Sequence, residues 1–279
     1  MKSFRNKIAA ITGASSGIGR ALALELASQK CQLALSSNSN QAGLAETAAL
    51  AAKHGVKVTT TRVDVAQRDQ VHAWADQVVK DHGSVNLIFN NAGVAHAGTV
   101  KGTEYADYEW IMGINYWGVV YGTKAFLPYL EDSGEGHIIN VSSIFGLFAQ
   151  PGMSAYNSSK FAVRGFTESL RQELDLMKIG VSATCVHPGG IKTNIARTAR
   201  TSDSIGAITG KGGGDSMAGF EMLLRTTPEQ AARAILSGVR RNARRVLIGV
   251  DARAADSMQR MLPGLYQSVV TAGMRLLKR

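Results

Sequence analysis

Thr12-Gly13-Ala14-Ser15-Ser16-Gly17-Ile18-Gly19 is the stretch on which the fold turns. It joins a short apolar strand, Lys7–Thr12, to a segment, Gly17–Ser28, whose apolar residues Ile18, Leu22 and Leu26 recur at helical spacing. Glycines let a backbone turn sharply and approach a ligand closely. The start of a helix offers unpaired N–H groups and the positive end of a dipole, which suits a pyrophosphate. The spacing, G-x-x-x-G-x-G, is neither the G-x-G-x-x-G of the usual dinucleotide fold nor a P-loop, which needs Gly-Lys-Ser/Thr. At the first strand-to-helix turn of a βαβ unit it predicts a dinucleotide site built on Gly13, Ser15, Ser16, Gly17, Ile18 and Gly19. The alternative is a plain glycine-rich turn.

Outward from this turn, strands and helices alternate. Gln32–Ser37, Val56–Val63, Val85–Asn90, His137–Ser142 and Val181–Val186 read as further strands. Gln41–His54, Gln67–His82, Glu104–Leu130 and Ala155–Met177 read as helices, the third broken or bent near Pro128. Strands that alternate with helices predict a doubly wound parallel sheet covered on both faces, an α/β fold with right-handed crossovers. The 279 residues form a single domain, 1–279, with no interdomain linker or internal repeat. One polar, glycine-rich segment, 191–225, breaks the rhythm and is expected to be a mobile lid over the substrate.

Composition narrows the function classes. Cys31 and Cys185 lie in or beside apolar runs and read as reduced core thiols, which suits a reducing cytoplasm and argues against a disulfide scaffold. The start of the chain does not read as a signal peptide, and no run of ~18 uncharged apolar residues suggests a spanning helix. The net charge of +10 is uneven: from Arg225 onward eleven cations face three acids, so the rest of the chain is close to neutral. In the tail, Met258, Met261, Leu262, Leu265, Val269 and Leu276 repeat at helical spacing among Arg253, Arg260, Arg275, Lys278 and Arg279. Residues 251–279 therefore read as a basic amphipathic helix, packed on its own or a partner subunit, with contact to an anionic membrane surface as the sharper reading. Aromatics are not interleaved with these charges, so nucleic acid is not expected as a partner. The six histidines show no metal-ligand spacing, and no metal is expected.

Chemistry concentrates at the carboxyl ends of the strands, where open parallel sheets place their ligands. Asp64-Val65 follows the third strand; the carboxylate could accept from an adenine amino group or cap the next helix. Asn90-Asn91-Ala92-Gly93 ends the fourth, with small residues that leave room for a flat ring. Ser142-Ser143 ends the fifth and Pro188-Gly189 the sixth. Tyr156 and Lys160 stand four positions apart, on one face of a helix. A free phenol has a pKa of ~10, and a fixed cation beside it favours the phenolate; a shift to ~7 needs about 4 kcal/mol. Such a pair makes a general acid/base suited to an oxygen.

Together these features resemble the short-chain dehydrogenases/reductases, in their single-domain oxidoreductase branch. The resemblance runs from about Lys7 to Thr193. It covers the T-G-x-x-x-G-x-G turn, Asp64, Asn90-Asn91-Ala92-Gly93, Asn115 within a helix, Ser143, Tyr156-x-x-x-Lys160, and Pro188-Gly189 followed by Thr193. His187 departs from the pattern, since Asn is usual before Pro-Gly, and little is expected of the change.

The resemblance implies a Rossmann-type three-layer fold with a mostly parallel seven-stranded sheet. It also implies a nicotinamide cofactor held by the glycine turn, Ser37-Asn38-Ser39, Asp64, Val65, Asn91, Ala92, Gly93, Tyr156, Lys160, Pro188, Gly189 and Thr193. Tyr156 would be the acid/base, Lys160 would lower its pKa and hold the ribose hydroxyls, and Ser143 would bond the substrate oxygen. Asn115 would hold a water that relays protons to Lys160, although a buried helix-kink role fits it nearly as well.

Relatives that use NAD tend to carry an acid after the second strand, and those that use NADP a base. Here Ser36-Ser37-Asn38-Ser39 offers neither, and its hydroxyls and amide can donate to a phosphate, so NADP(H) is expected over NAD(H). Ile144, Phe145, Phe148 and Met153, with Val94 and the wall residue His96 opposite, suggest a hydrophobic alcohol or its carbonyl as substrate. The relatives also imply a homodimer or homotetramer through the helices Glu104–Leu130 and Ala155–Met177. A non-catalytic, cofactor-sensing protein on the same fold is the second functional class; the complete Ser143, Tyr156 and Lys160 set counts against it.

Overall fold

The fold is taken from a computed structural model, which describes residues 1–210 and 225–277. Its elements run β1 (Ile8–Thr12), α1 (Gly17–Ser28), β2 (Gln32–Ser37), α2 (Gln41–Ala52), β3 (Val58–Arg62), α3 (Arg68–His82), β4 (Leu87–Asn90) and β5 (His96–Ala97). After these come α4 (Tyr105–Met112), α5 (Gly118–Asp132), β6 (Gly136–Val141), α6 (Ser154–Met177), β7 (Val181–Pro188), β8 (Arg200–Thr201) and α7 (Gly206–Thr209). The chain closes with α8 (Pro228–Arg240), β9 (Arg245–Ile248), α9 (Val250–Met261) and α10 (Tyr266–Leu277).

Seven strands form one sheet in the order β3-β2-β1-β4-β6-β7-β9, and every neighbouring pair is parallel. The central strands are buried because helices cover both faces of the sheet. One face packs Leu22 and Leu26 of α1, Leu44 of α2 and Ile235 and Leu236 of α8 against Ile11, Leu33 and Phe89. The other packs Trp74 and Val78 of α3, Phe126 of α5 and Leu170 of α6 against Ala10, Ile88 and Ile138. The strand order reverses between β1 and β4, which opens a crevice at their carboxyl ends, below the Thr12–Gly19 turn.

Several elements depart from the sequence-based expectation. The segment 104–130 is not one helix: α4 and α5 are separated by a π-turn at Gly113–Trp117. Pro128 lies inside α5 and does not end it. The seventh strand, β9, has no counterpart in the strand pattern, because only four residues pair there and two of them, Arg245 and Leu247, are only half-buried. Helix α8 carries a legible start that was passed over: Thr227 accepts from the Gln230 N–H, Gln230 answers to the Thr227 N–H, and Pro228 follows the cap. The basic tail is two helices, α9 and α10, broken at Pro263-Gly264. Of the expected lid, residues 211–224 lie outside the described residues; 191–210 pack down through Ile191, Ala196 and Ile205.

A buried polar ladder crosses the sheet. Asn90 Nδ2 donates to Asn140 Oδ1 at 2.8 Å, and Asn140 Nδ2 donates to Thr167 Oγ1 at 3.0 Å, so β4, β6 and α6 are tied in register. Gly122 of α5 lies directly over Asn90, where a Cβ would collide with its Oδ1. That close approach brings α5 and the π-turn, with Asn115, up to the carboxyl edge of the sheet.

Candidate active site

Helix α6 carries Tyr156 and Lys160, the expected acid/base pair. Tyr156 and Lys160 are both buried, and the Lys160 ammonium lies 5.7 Å from the centre of the Tyr156 ring. Lys160 Nζ donates to the Val141 carbonyl at 3.1 Å, and Ser142 Oγ donates to the Lys160 carbonyl at 2.7 Å. These two bonds fasten the first turns of α6 to the end of β6. Ser143 is extended (φ −163°, ψ 166°) and caps the short turn Ile144–Gly146 with its Oγ, which accepts from the Phe145 N–H at 3.1 Å. The same side chain hydrogen-bonds the Tyr156 phenol. Ser143, Tyr156 and Lys160 thus converge from two elements that are 13 and 17 positions apart in sequence.

The electrostatics differ from the expectation drawn from spacing. Burial raises the Tyr156 phenol above its usual value, and the Ser143 hydrogen bond only partly opposes it. Burial also lowers Lys160, to about 8. In the free protein, then, the neighbouring cation does not make Tyr156 acidic. Both groups are pushed toward their neutral forms, because a buried charge loses water that one carbonyl does not replace.

Asn115 sits in the π-turn, fully buried. Its Nδ2 donates to the Val94 carbonyl and to Ser159 Oγ, both at 3.0 Å, and its Oδ1 accepts from the Val94 N–H at 2.9 Å. A π-turn is a frequent device for turning one side chain into a site. A Cβ on Gly93 would lie 3.2 Å from Asn115 Oδ1 and 3.4 Å from Lys160 Nζ, so the Asn91–Gly93 backbone reaches the polar pair directly.

The glycine turn fits a dinucleotide on its own geometry. Gly13 and Gly17 take φ of +65° and +53°, in the left-handed region that favours glycine. A Cβ on Gly19 would collide with the Gly13 carbonyl, and one on Gly13 would meet the Ala92 Cα at 2.9 Å. No side chain caps α1 at Ser16, and its first turn holds no acid, so its N-terminal amides are left for an anion. Asn91 acts as a staple: its Nδ2 donates to the Thr12 carbonyl at 2.9 Å, and Thr12 Oγ1 accepts from both the Asn91 and Ala92 N–H groups at 3.0 Å. Thr193 reaches back across the turn, where a Cβ on Gly17 would meet its methyl at 3.0 Å.

At the adenosine end, Ser37 Oγ donates to Ser15 Oγ at 3.1 Å, and Asn38 and Ser39 are exposed. Asp64 does not cap α3. Its Oδ1 closes a local turn by accepting from the Ala66 N–H, and α3 begins at Gln67 with no side-chain cap. The neighbouring Val65 is buried.

Three residues near the site escaped the sequence reading. Arg62, exposed at the end of β3, pairs in register with Ser37 and so shares its face of the sheet. Asp251, at the start of α9, accepts from the Gly190 N–H at 2.6 Å, and a Cβ on Gly189 would collide with its carboxylate. It steadies the Pro188–Thr193 loop together with Thr226, whose carbonyl accepts from the Lys192 N–H at 2.9 Å. Tyr266 of α10 packs edge-on against Phe148 at 6.2 Å. An acid after an unseen strand and an aromatic on the inner face of the tail were the available signals.

Most of the residues expected to face the substrate pack together. Phe145, Phe148, Met153 and Tyr156 form one apolar cluster with Ala95 and Ile111, and Ala255 and Tyr266 close it from the tail. His96 is the exception. It is buried beneath the pairing of β5 with β8, and its Nε2 lies 3.5 Å from Asp107 Oδ2. Arg200 binds the other Asp107 oxygen at 3.1 Å and covers the Trp110 ring at 3.8 Å. Burial lowers the His96 pKa, with Asp107 opposing. The imidazole is held in this clasp beside Asp107.

The crevice, the glycine turn and the Ser143, Tyr156 and Lys160 cluster lie together at the carboxyl edge of a Rossmann-type sheet. The short chain dehydrogenase family model matches residues 7–204, and the chain belongs to that family. It is 49% identical over 277 residues to SadH of Mycobacterium tuberculosis, an oxidoreductase by name, covering 98% of this chain and 97% of that one. It is 32% identical over 270 residues to human estradiol 17-beta-dehydrogenase 11, covering 96% and 83%. A solved short chain dehydrogenase/reductase from Burkholderia phymatum, in complex with NAD, superposes with a TM-score of 0.87 at 29% identity, covering 95% and 97%. The chain is therefore an oxidoreductase of this family.

Lys160 gives a pH signature. Between about 8 and its ordinary 10.5, the unfolded chain holds a proton there that the folded chain does not. Stability of the free protein should therefore rise across that window by on the order of 3 kcal/mol from this group. In urea unfolding, the parent should gain on Lys160→Met between pH 8 and pH 10; a constant difference would show that the ammonium is not penalised by burial.

Proposed function

We propose that the protein interconverts a hydrophobic alcohol and its ketone or aldehyde with NADP(H), acting as an alcohol dehydrogenase or carbonyl reductase. The observation that carries this reading is the gathering of buried Ser143, Tyr156 and Lys160, with Phe145, Phe148, Met153 and Tyr266 packed around Tyr156. Ser143 Oγ holds the substrate oxygen. In reduction the Tyr156 phenol gives its proton to that oxygen, and in oxidation it takes one away. A raised Tyr156 pKa keeps the proton in place at neutral pH, so the free protein is poised as the acid. The nicotinamide, when bound, supplies or accepts the hydride. Lys160 would hold the ribose hydroxyls and would return a proton to Tyr156. Asn115 has both amide hydrogens committed to protein partners, so a relay water would rest on its Oδ1, which keeps one lone pair.

Tyr156→Phe should lower kcat by about 10²-fold or more while nicotinamide binding, read by fluorescence titration, stays within about twofold. Turnover that survives the change removes Tyr156 from the chemistry. No turnover by the parent on a broad panel of hydrophobic ketones, aldehydes and secondary alcohols favours a cofactor-sensing protein.

The NADP(H) preference is supported by the exposed donors Asn38 and Ser39, the absence of an acid among Ser36–Ser39, and Arg62 in register beside Ser37. At equal low concentration NADPH should be turned over faster than NADH, and Arg62→Ala should weaken NADPH binding about tenfold while leaving NADH alone. Faster turnover with NADH overturns the preference.

A homodimer or homotetramer is supported by Trp117, 46% exposed just before α5, and Phe161, 37% exposed on α6. A cytoplasmic setting is supported by two buried thiols, each pushed up to about 12. No helix among the described residues is long and apolar enough to cross a membrane. Peripheral contact is supported instead by the outer face of the tail, where Val250, Met261 and Leu265 are exposed beside Arg253 and Arg260. Light scattering reads the assembly. Sedimentation with anionic vesicles that is unchanged by deletion from residue 257 ends the membrane reading.

A further inference from the structure

His187 occupies the position before Pro188-Gly189 and is fully buried at the end of β7. Its Nδ1 lies 3.0 Å from the Ser143 carbonyl, a contact that spans 44 positions of sequence. The same carbonyl accepts from the Gly146 N–H at 3.0 Å. Both lone pairs of that oxygen are therefore engaged, and the peptide plane after Ser143 is held from two sides.

A carbonyl only accepts, so Nδ1 must carry a proton. Burial lowers the imidazole to about 4, the hydrogen bond to the Ser143 carbonyl opposes it, Arg245 and Arg164 add to the lowering, and Glu168 opposes it. The ring is thus neutral at ordinary pH, and the proton on Nδ1 leaves Nε2 bare. Nε2 is buried and has no hydrogen-bond partner among the described residues. A buried acceptor left unpaired is costly and calls for an explanation. The explanation offered by the geometry is the donor at the other end of the ring.

Resting on the oxidoreductase reading above, we infer that His187 is a positioning residue for Ser143. Its Nδ1–H fixes the peptide plane from which Ser143 Oγ reaches the Tyr156 phenol, and it ties the Pro188–Thr193 loop to the catalytic serine. The Ser143 side chain has one further restraint, the Phe145 N–H, and both restraints set the direction of one oxygen. Asn could donate to the same carbonyl through its amide, which makes the departure at this position a change of donor rather than a loss of one. The expectation that the substitution matters little holds only while a donor is present.

The full chain with His187→Leu and with His187→Asn tests this. His187→Leu should lower kcat about tenfold to a hundredfold with nicotinamide affinity within about twofold. Its alkaline pH limb should move upward, because the Ser143 hydrogen bond that holds the Tyr156 pKa down is weakened. His187→Asn should return kcat to within about threefold of the parent and restore the limb. A His187→Leu enzyme with unchanged kcat overturns the inference. So does one that loses kcat, cofactor affinity and unfolding midpoint together, with no rescue by Asn. Nitrogen NMR of the parent gives a readout independent of turnover: His187 should be protonated at Nδ1 and bare at Nε2, and the opposite tautomer overturns the assignment. If the parent turns over no substrate but shows the expected tautomer, the oxidoreductase reading fails and the His187–Ser143 tether stands.

Discussion

Lys160 is fully enclosed, and its ammonium rests on the Val141 carbonyl at the last residue of β6. That bond, with Ser142 Oγ on the Lys160 carbonyl, fixes where α6 starts relative to the sheet. Everything chemical depends on that placement. One turn earlier on α6, Tyr156 is carried over the end of β6, where Ser143 meets it. A buried cation with one neutral acceptor is a strained arrangement, which is why burial pulls Lys160 down toward neutrality. Such strain is a familiar property of sites that await a charged or polar partner.

The groove proposed for the cofactor is made almost wholly of backbone. Gly13, Gly17 and Gly19 remove side chains from the turn, and Asn91 and Thr12 lock its shape from β4 and β1. On the opposite side, the Pro188–Thr193 loop is held by residues that arrive late in the chain. Asp251 accepts from Gly190, and Thr226 pairs with the loop on both its N–H and its carbonyl. Asp251 and Thr226 thus join the late part of the chain to this loop.

The same holds for the substrate wall. Tyr266 closes it against Phe148, and its hydroxyl accepts from the Ala149 N–H at 3.4 Å. The inner face of the tail is buried on its own subunit through Ala252, Ala255 and Tyr266, which leaves only the outer face for other partners. Opposite, Asp107 of α4 meets both His96 and Arg200, which clasps the chain around Arg200 to α4.

Local periodicity determined the alternation of strands and helices, and the punctuation at strand ends marked the carboxyl edge of the sheet. Both signals are set by neighbours in sequence: fully apolar strands require two covered faces, and a glycine at left-handed φ can be read in isolation. Tyr156 and Lys160 were legible for the same reason, since four residues on a helix share a face whatever surrounds them. What the surroundings decided was not legible. The π-turn at Gly113–Trp117 arises where α5 approaches the sheet over Gly122, and no local pattern announces it. The short β9 exists because β7 offers it an edge. The Tyr156 pKa follows from burial, which spacing cannot supply, and spacing alone suggested the opposite sign. The partner of His187 lies 44 positions away, so only the assembled sheet could turn an apparent departure from pattern into a donor for Ser143.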